Sequence, residues 1–137
     1  AVKRGEPGAL QVLGFGKTAK VLVRAAQITP TRARVGGRVD IAFEVHNPHS
    51  RAQRVLVDCC VHYVKANGQT SAKVFKLKTL ELAGGDTVPL RKRLSLAQLS
   101  TRKHYAGVHR VEVLVNGRAQ ALGSFELLPA LAQRAEP

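Results

Sequence analysis

The residues best suited to chemistry are a cluster of cations, and the chemistry that they favour is the binding of anions. Nine Lys and Arg residues and two acids fall between positions 73 and 110, so this segment carries +7 of the formal net charge of +13. Solvated protein faces normally mix acids with bases. A local excess of one sign therefore favours a polyanionic partner, such as the phosphate backbone of DNA.

Alternation along the predicted strands groups these cations. Arg91 and Arg93 share one strand face, and Lys76 and Lys78 share a face of another strand. The loop at positions 100–105 adds hydroxyls, cations and an aromatic ring. We expect DNA contacts from Arg91, Arg93, Arg102, Lys103, His104, Lys73, Lys76 and Lys78. Contacts of this kind bind phosphates and read no base sequence. Tyr105 is expected to anchor a corner of the fold rather than to stack on a base.

No catalytic or metal-binding constellation is visible in the sequence. The histidines are scattered at His46, His49, His62, His104 and His109. His46 and His49 lack a third ligand at a usual spacing, so no metal and no cofactor is expected. Cys59 and Cys60 point to opposite faces of a strand, which predicts a core thiol at Cys59 and a semi-exposed thiol at Cys60. The chain alone is not expected to be an enzyme, because no acid or nucleophile has a paired general base.

Length and composition favour one domain without a membrane span. The chain has 137 residues, a size at which a single core is usual. No apolar run approaches the ~20 residues that a helix needs to cross a bilayer. The two cysteines are adjacent and form no disulfide framework, which favours a reducing, cytoplasmic compartment.

Seven strand-like segments and no helix organise the chain. They span residues 20–28, 38–46, 54–65, 73–82, 86–96, 109–115 and 119–127. Their spacing predicts an all-β immunoglobulin-like sandwich of about seven antiparallel strands over residues 20–128. Residues 1–19 are then a lead-in from a preceding domain, and residues 129–137 a flexible tail. Asn116-Gly117 is the strongest hairpin signal.

Two irregularities are predicted within these strands. The apolar phase slips in the fourth strand, which predicts a bulge near Thr79. Lys92 shares the parity of the inward-facing residues of its strand, so it must lie at a sheet edge or extend its ammonium to solvent.

Four segments carry a resemblance to a known family. They are VHYVKANG at 61–68, KVFKLK at 73–78, TRKHYAGVHR at 101–110 and VNGR at 115–118. Together they resemble the C-terminal immunoglobulin-like domain of AlkC-type DNA alkylation repair proteins, which are bacterial 3-methyladenine DNA glycosylases. Thr101 to Tyr105 match the family's basic loop, whereas Ala106 stands where the family often has Pro.

The resemblance implies a DNA-clamping domain without a catalytic residue of its own. In the family a HEAT-like repeat domain carries the base-excising site, and the immunoglobulin-like domain follows it. The expected function is thus to supply backbone contacts in base excision repair. The alternative is a protein–protein interaction sandwich whose basic surface is incidental. A free-standing enzyme would need a polar pocket with paired titratable groups.

Overall fold

Eight strands in two sheets form the protein in the computed structural model, which describes residues 21–99 and 103–130. The strands are β1 (Leu22–Thr29), β2 (Arg32–Arg34), β3 (Arg38–His46), β4 (Gln53–Val64), β5 (Thr70–Leu82), β6 (Thr87–Ser95), β7 (Gly107–Val115) and β8 (Arg118–Leu128). No helix occurs in these ranges, so none of the described chain could span a membrane as a helix. The expected all-β sandwich is confirmed.

Alternation of apolar and polar residues builds the core between the sheets. In β3, Val39, Ile41, Phe43 and Val45 are all buried, while the residues between them are partly exposed. β4 contributes its own inward row, with Val57 at its centre. Because successive strand residues point to opposite faces, each strand presents one apolar side to the partner sheet.

The two sheets place β5 and β6 at edges on the same side of the sandwich. One sheet has the order β1-β3-β6, and the other has the order β2-β8-β7-β4-β5. β5 and β6 lie in different sheets but contact each other. Each is therefore paired on one side only within the described ranges.

The main difference from the sequence-based strand map is β2. Its three residues lie between two turn signals, and they pair in parallel with Glu126–Leu128 of β8. A three-residue strand has too short a pattern to show alternation, so the sequence contains no signal for it. The predicted lead-in (1–19) and all of the predicted tail (129–137) except residues 129 and 130 lie outside the described residues.

The predicted bulge in the fourth long strand and the predicted hairpin turn are both present. β5 skips Leu77 in its pairing with β4, because Val57 faces Lys78 and Asp58 faces Lys76. This bulge lies two residues before Thr79. Asn116 and Gly117 both have positive φ, at 49° and 83°, as expected for a two-residue hairpin turn.

A buried asparagine ties the loop after β3 to the end of β5. The Asn47 side chain is fully buried, and its Nδ2 donates to the carbonyl oxygens of Arg51 (2.8 Å) and Leu82 (3.0 Å). Its Oδ1 accepts from the His49 backbone N–H and from Gln53 Nε2. Every polar group of this side chain is thus satisfied by backbone or a buried amide.

Candidate nucleic-acid interface

The neighbouring edge strands β5 and β6 gather most of the predicted cations. Together they carry six Lys and Arg residues and one acid, Glu81, for a net charge of six minus one, or +5. The cations are Lys73, Lys76, Lys78, Arg91, Lys92 and Arg93. We call this side of the sandwich the β5–β6 edge. β5 and β6 are consecutive in the sequence and contact each other in space. The excess of positive charge in this segment is therefore displayed on one surface.

Lys92 occupies the gap between the two sheets at this edge. It lies opposite the buried Ile41, so its stem follows the core side of β6, as its parity predicts. Its Nζ lies 4.5 Å from the centre of the Phe75 ring, which projects from β5. Lys73 places its own Nζ 5.8 Å from the same ring. Two ammonium groups therefore approach one aromatic ring at the edge.

Arg91 and Arg93 lie on the outer face of the three-stranded sheet. Arg93 faces Asp40 across β3, and its Nε donates to Asp40 Oδ1 at 3.0 Å. The hydrogen bond from Arg93 lowers the pKa of the Asp40 carboxyl below its usual value. Arg91 faces Ala42 and forms no ion pair within the described residues. Arg91 is thus the more available of the two for an external anion.

Lys76 and Lys78 do not share a face, which corrects the sequence-based expectation. Lys76 lies opposite Asp58 on the outer face of the five-stranded sheet, whereas Lys78 lies opposite the buried Val57. The extra residue at the bulge changes the parity between them. Both remain exposed because β5 is an edge strand. Lys78 consequently joins Lys73 and Lys92 on the side of the gap.

The predicted basic loop is only partly described. Ser100, Thr101 and Arg102 lie outside the described residues, and Lys103 is exposed. Gln98 holds the backbone at His104, because its side-chain amide accepts from the His104 N–H at 2.7 Å and donates to the His104 carbonyl at 3.1 Å. Lys103 therefore directly precedes a residue, His104, whose backbone is held by two hydrogen bonds.

His104 is buried, unlike the exposed side chain that its expected phosphate contact requires. Only 4 % of the residue is exposed, and its ring centre lies 5.5 Å from that of Tyr63. A side chain covered to this extent has no free path to a phosphate oxygen. Tyr105 is 39 % exposed and forms no hydrogen bond within the described residues, and its expected role at a corner stays a prediction.

A second histidine, His109, is buried in the core next to this loop. Its ring packs against Tyr63 and Phe125, with centres 5.7 and 5.0 Å away. Its Nδ1 lies 3.1 Å from the Gly107 carbonyl, which makes Nδ1–H the donor and leaves Nε2 without a partner in the described chain. Burial lowers the pKa of His109 below 6.5, and nearby His104 lowers it further. Burial therefore favours the neutral form of the ring.

Comparison with known proteins shows the family to which the chain belongs. A family model described as "Uncharacterised protein YhaZ, C-terminal Ig-like domain" matches residues 22–129. The chain belongs to this family. As a YhaZ-type C-terminal domain it is 29 % identical over 126 residues to YhaZ of Bacillus subtilis (strain 168), covering 92 % of this chain and 35 % of that protein.

Solved structures agree with the YhaZ-type assignment. Pseudomonas fluorescens alkylpurine DNA glycosylase AlkC, bound to DNA containing an abasic site analog, matches with a TM-score of 0.75 and 38 % identity over 88 % of this chain. The chain spans about a third of that protein, at 33 % of its length. The resemblance drawn from the sequence is thus confirmed. A β-glucosidase from Listeria innocua (12 % identity, TM-score 0.62, 82 % of this chain, 17 % of that chain) shares the fold alone.

Sequence reasoning missed one cluster in this YhaZ-type domain. Cys60, His62 and Glu112 place a sulfur, a ring nitrogen and a carboxylate oxygen within 4.8 Å of one another, on the outer face of the five-stranded sheet. Cys60 is only 5 % exposed, so the expected semi-exposed thiol is corrected to a buried one. Cys60 and His62 alternate on one strand face, which is a visible signal. Glu112 joins them only through the pairing of β4 with β7.

Proposed function

We propose that this chain is a non-catalytic DNA-clamping domain of an alkylpurine (3-methyladenine) DNA glycosylase. The observation that carries the proposal is the β5–β6 edge, read together with 38 % identity to a glycosylase whose structure contains DNA. The domain supplies sequence-independent contacts to the phosphate backbone. Base excision belongs to a HEAT-like repeat domain that is its partner in the same protein.

The contacts are expected from both sides of the β5–β6 edge. Arg91, Arg93, Lys73, Lys76, Lys78 and Lys103 remain the proposed contacts, Arg102 remains proposed on sequence grounds, and Lys92 is added. Edge strands also leave one row of backbone N–H groups unpaired, and such groups donate to phosphate oxygens. Lys and Arg provide the charge, and the rigid strands fix their spacing.

Such a surface would favour the distorted DNA that excision requires. An enzyme that acts on a base within a duplex must extrude it, which costs a few kcal/mol of stacking and pairing. Bending the duplex adds a deformation energy that extra backbone contacts offset. A cationic edge that engages phosphates beyond the lesion stabilises the deformed state without touching the base.

The test is a salt titration of the 137-residue chain with a short undamaged duplex. The variant Lys73→Ala/Lys78→Ala/Lys92→Ala removes three charges from the gap. The matched control, Arg32→Ala/Arg54→Ala/Arg118→Ala, removes three charges from elsewhere in the five-stranded sheet. Each lost phosphate contact should reduce the slope of log K against log salt by about 0.9. We expect a clear reduction for the edge variant and little change for the control.

A protein-interaction sandwich is the competing function, and one observation favours it. Leu56 and Val74, on the outer face of the five-stranded sheet, are 45 % and 46 % exposed. If DNA binding is absent at low salt, or if both triple variants weaken it equally, the β5–β6 edge is not a DNA clamp. An interaction domain would then be the better description.

A further inference from the structure

The outer face of the five-stranded sheet carries a set of metal-ligand side chains that the DNA contacts do not use. Cys60 faces Glu112 across the β4–β7 pairing, and His62 lies two positions along the same face of β4. His62 Nε2 lies 2.8 Å from Glu112 Oε1 and 3.9 Å from Cys60 Sγ. The three side chains thus converge from two rigid, central strands.

We propose that Cys60, His62 and Glu112 bind a divalent transition metal, and that Zn²⁺ is the ion that suits them. Thiolate, imidazole and carboxylate are all zinc ligands, with bond lengths of roughly 2.0–2.3 Å. At a tetrahedral angle those lengths separate the donor atoms by roughly 3.4–3.6 Å. The observed separations of 2.8 and 3.9 Å bracket that spacing, so movements within the side chains are sufficient.

The surroundings fit a bound cation of charge +2. A thiolate and a carboxylate would neutralise the ion, so the site would hold no net charge beside Arg110, which faces His62 across the strands. The side chains of His62 and Glu112 are 17 % and 24 % exposed, which gives the ion a path from solvent. Among the described residues this cluster offers three ligand atoms, one each from Cys60, His62 and Glu112, so water would take the fourth position.

The role that follows is a cross-strand link between β4 and β7. The ion would replace the His62–Glu112 hydrogen bond with two metal–ligand bonds and would add the Cys60 sulfur. Soft and borderline ligands in this combination select zinc, cobalt or copper over magnesium or calcium. Binding would stabilise the folded chain, because the unfolded chain does not present the three groups together.

The test is cobalt and zinc titration of the metal-free 137-residue chain. Co²⁺ should produce a thiolate-to-metal charge-transfer band and the visible bands of tetrahedral cobalt, and Zn²⁺ should displace it and raise the Tm. Cys60→Ser should abolish the charge-transfer band. Glu112→Gln, a polar substitution on the outer face, should weaken zinc binding roughly tenfold or more while leaving the Tm of the metal-free chain near that of the parent.

The matched control is His49→Asn, which removes an exposed histidine from a turn outside the cluster. Its cobalt spectrum and zinc affinity should equal those of the parent chain. The proposal is overturned if the parent shows no thiolate–cobalt band at micromolar metal. It is equally overturned if Cys60→Ser keeps the band, or if Glu112→Gln binds zinc as tightly as the parent.

Discussion

The Lys92 ammonium lies 4.5 Å from the centre of the Phe75 ring and thereby bridges the edges of the two sheets. The side chain starts at a position that faces the core and ends at the surface. This geometry places the apolar stem of Lys92 and its charged ammonium in different surroundings. The stem contributes apolar contact to the fold, and the ammonium contributes charge to the β5–β6 edge.

Replacing Lys92 with leucine should separate DNA binding from stability. Leucine would keep the apolar stem on Phe75 and remove the charge, so the Tm should stay the same or rise. The DNA affinity should fall, with a salt slope smaller by about 0.9. Lys92→Arg is the control and should retain both properties. A leucine variant that binds DNA with the parent's affinity and slope would exclude Lys92 from the interface.

Replacing the donor nitrogen of the Asn47 side chain with an oxygen should strongly destabilise the fold. Asn47→Asp is nearly isosteric but directs an oxygen at the carbonyl oxygens of Arg51 and Leu82 in a buried site. We expect a loss of about 3 kcal/mol or more in the free energy of unfolding, measured by urea denaturation. Asn67→Asp is the matched control. Its exposed Oδ1 accepts from the Gln69 N–H at 3.0 Å, and a carboxylate can do the same. Equal effects would contradict the prediction.

His109 should make the domain less stable at acid pH. Its pKa is lowered in the folded state, so the unfolded chain binds the proton first as the pH falls below 6.5. The stabilisation is complete above that value and is lost as the pH falls toward the folded-state pKa. Histidine changes its charge over roughly pH 5 to 8. Across that range the Tm of His109→Phe should therefore fall less steeply with decreasing pH than the Tm of the parent chain. His49→Asn should keep the parent's slope, and a parallel curve for His109→Phe would refute the account.

Two adjacent glycines should differ in their response to alanine. A Cβ at Gly84 would lie 2.7 Å from the His49 carbonyl oxygen and closer still to that of Ser50, so backbone would have to move. At Gly85 a Cβ would meet open space, but φ is +83°. Gly84→Ala should cost about 3 kcal/mol, and Gly85→Ala about 1 kcal/mol. Thermal unfolding of both variants measures the difference, and the reverse order would be incompatible with this packing.

Patterns that lie within one strand could be predicted from the sequence. The alternation around Phe43 gave the correct inward face, and the Asn116-Gly117 dipeptide gave the correct hairpin. Lys92 was correctly expected at an edge because its parity conflicts with its charge. Each of these features depends on neighbours a few residues away, where strand geometry leaves few alternatives.

Features that depend on pairing between strands could not be predicted. The slip in apolar phase indicated a bulge near Thr79, but its position at Leu77, which puts Lys76 and Lys78 on opposite faces, is set by the pairing of β5 with β4. The partner of His62 is 50 residues away and becomes its neighbour only through strand register. The burial of the loop residue His104 likewise depends on Tyr63, which lies in β4. These are tertiary effects, and no local pattern encodes them.

The position of β8 has a consequence for how the protein is made. This strand lies between β2 and β7, inside the five-stranded sheet, although it is the last of the described strands to leave the ribosome. Until about Leu128 has emerged, β7 has an open edge and β2 has no partner. Native pairing of the sheet therefore waits for nearly all the strands to be synthesised, and the nascent chain exposes strand edges to aggregation or chaperones during that interval.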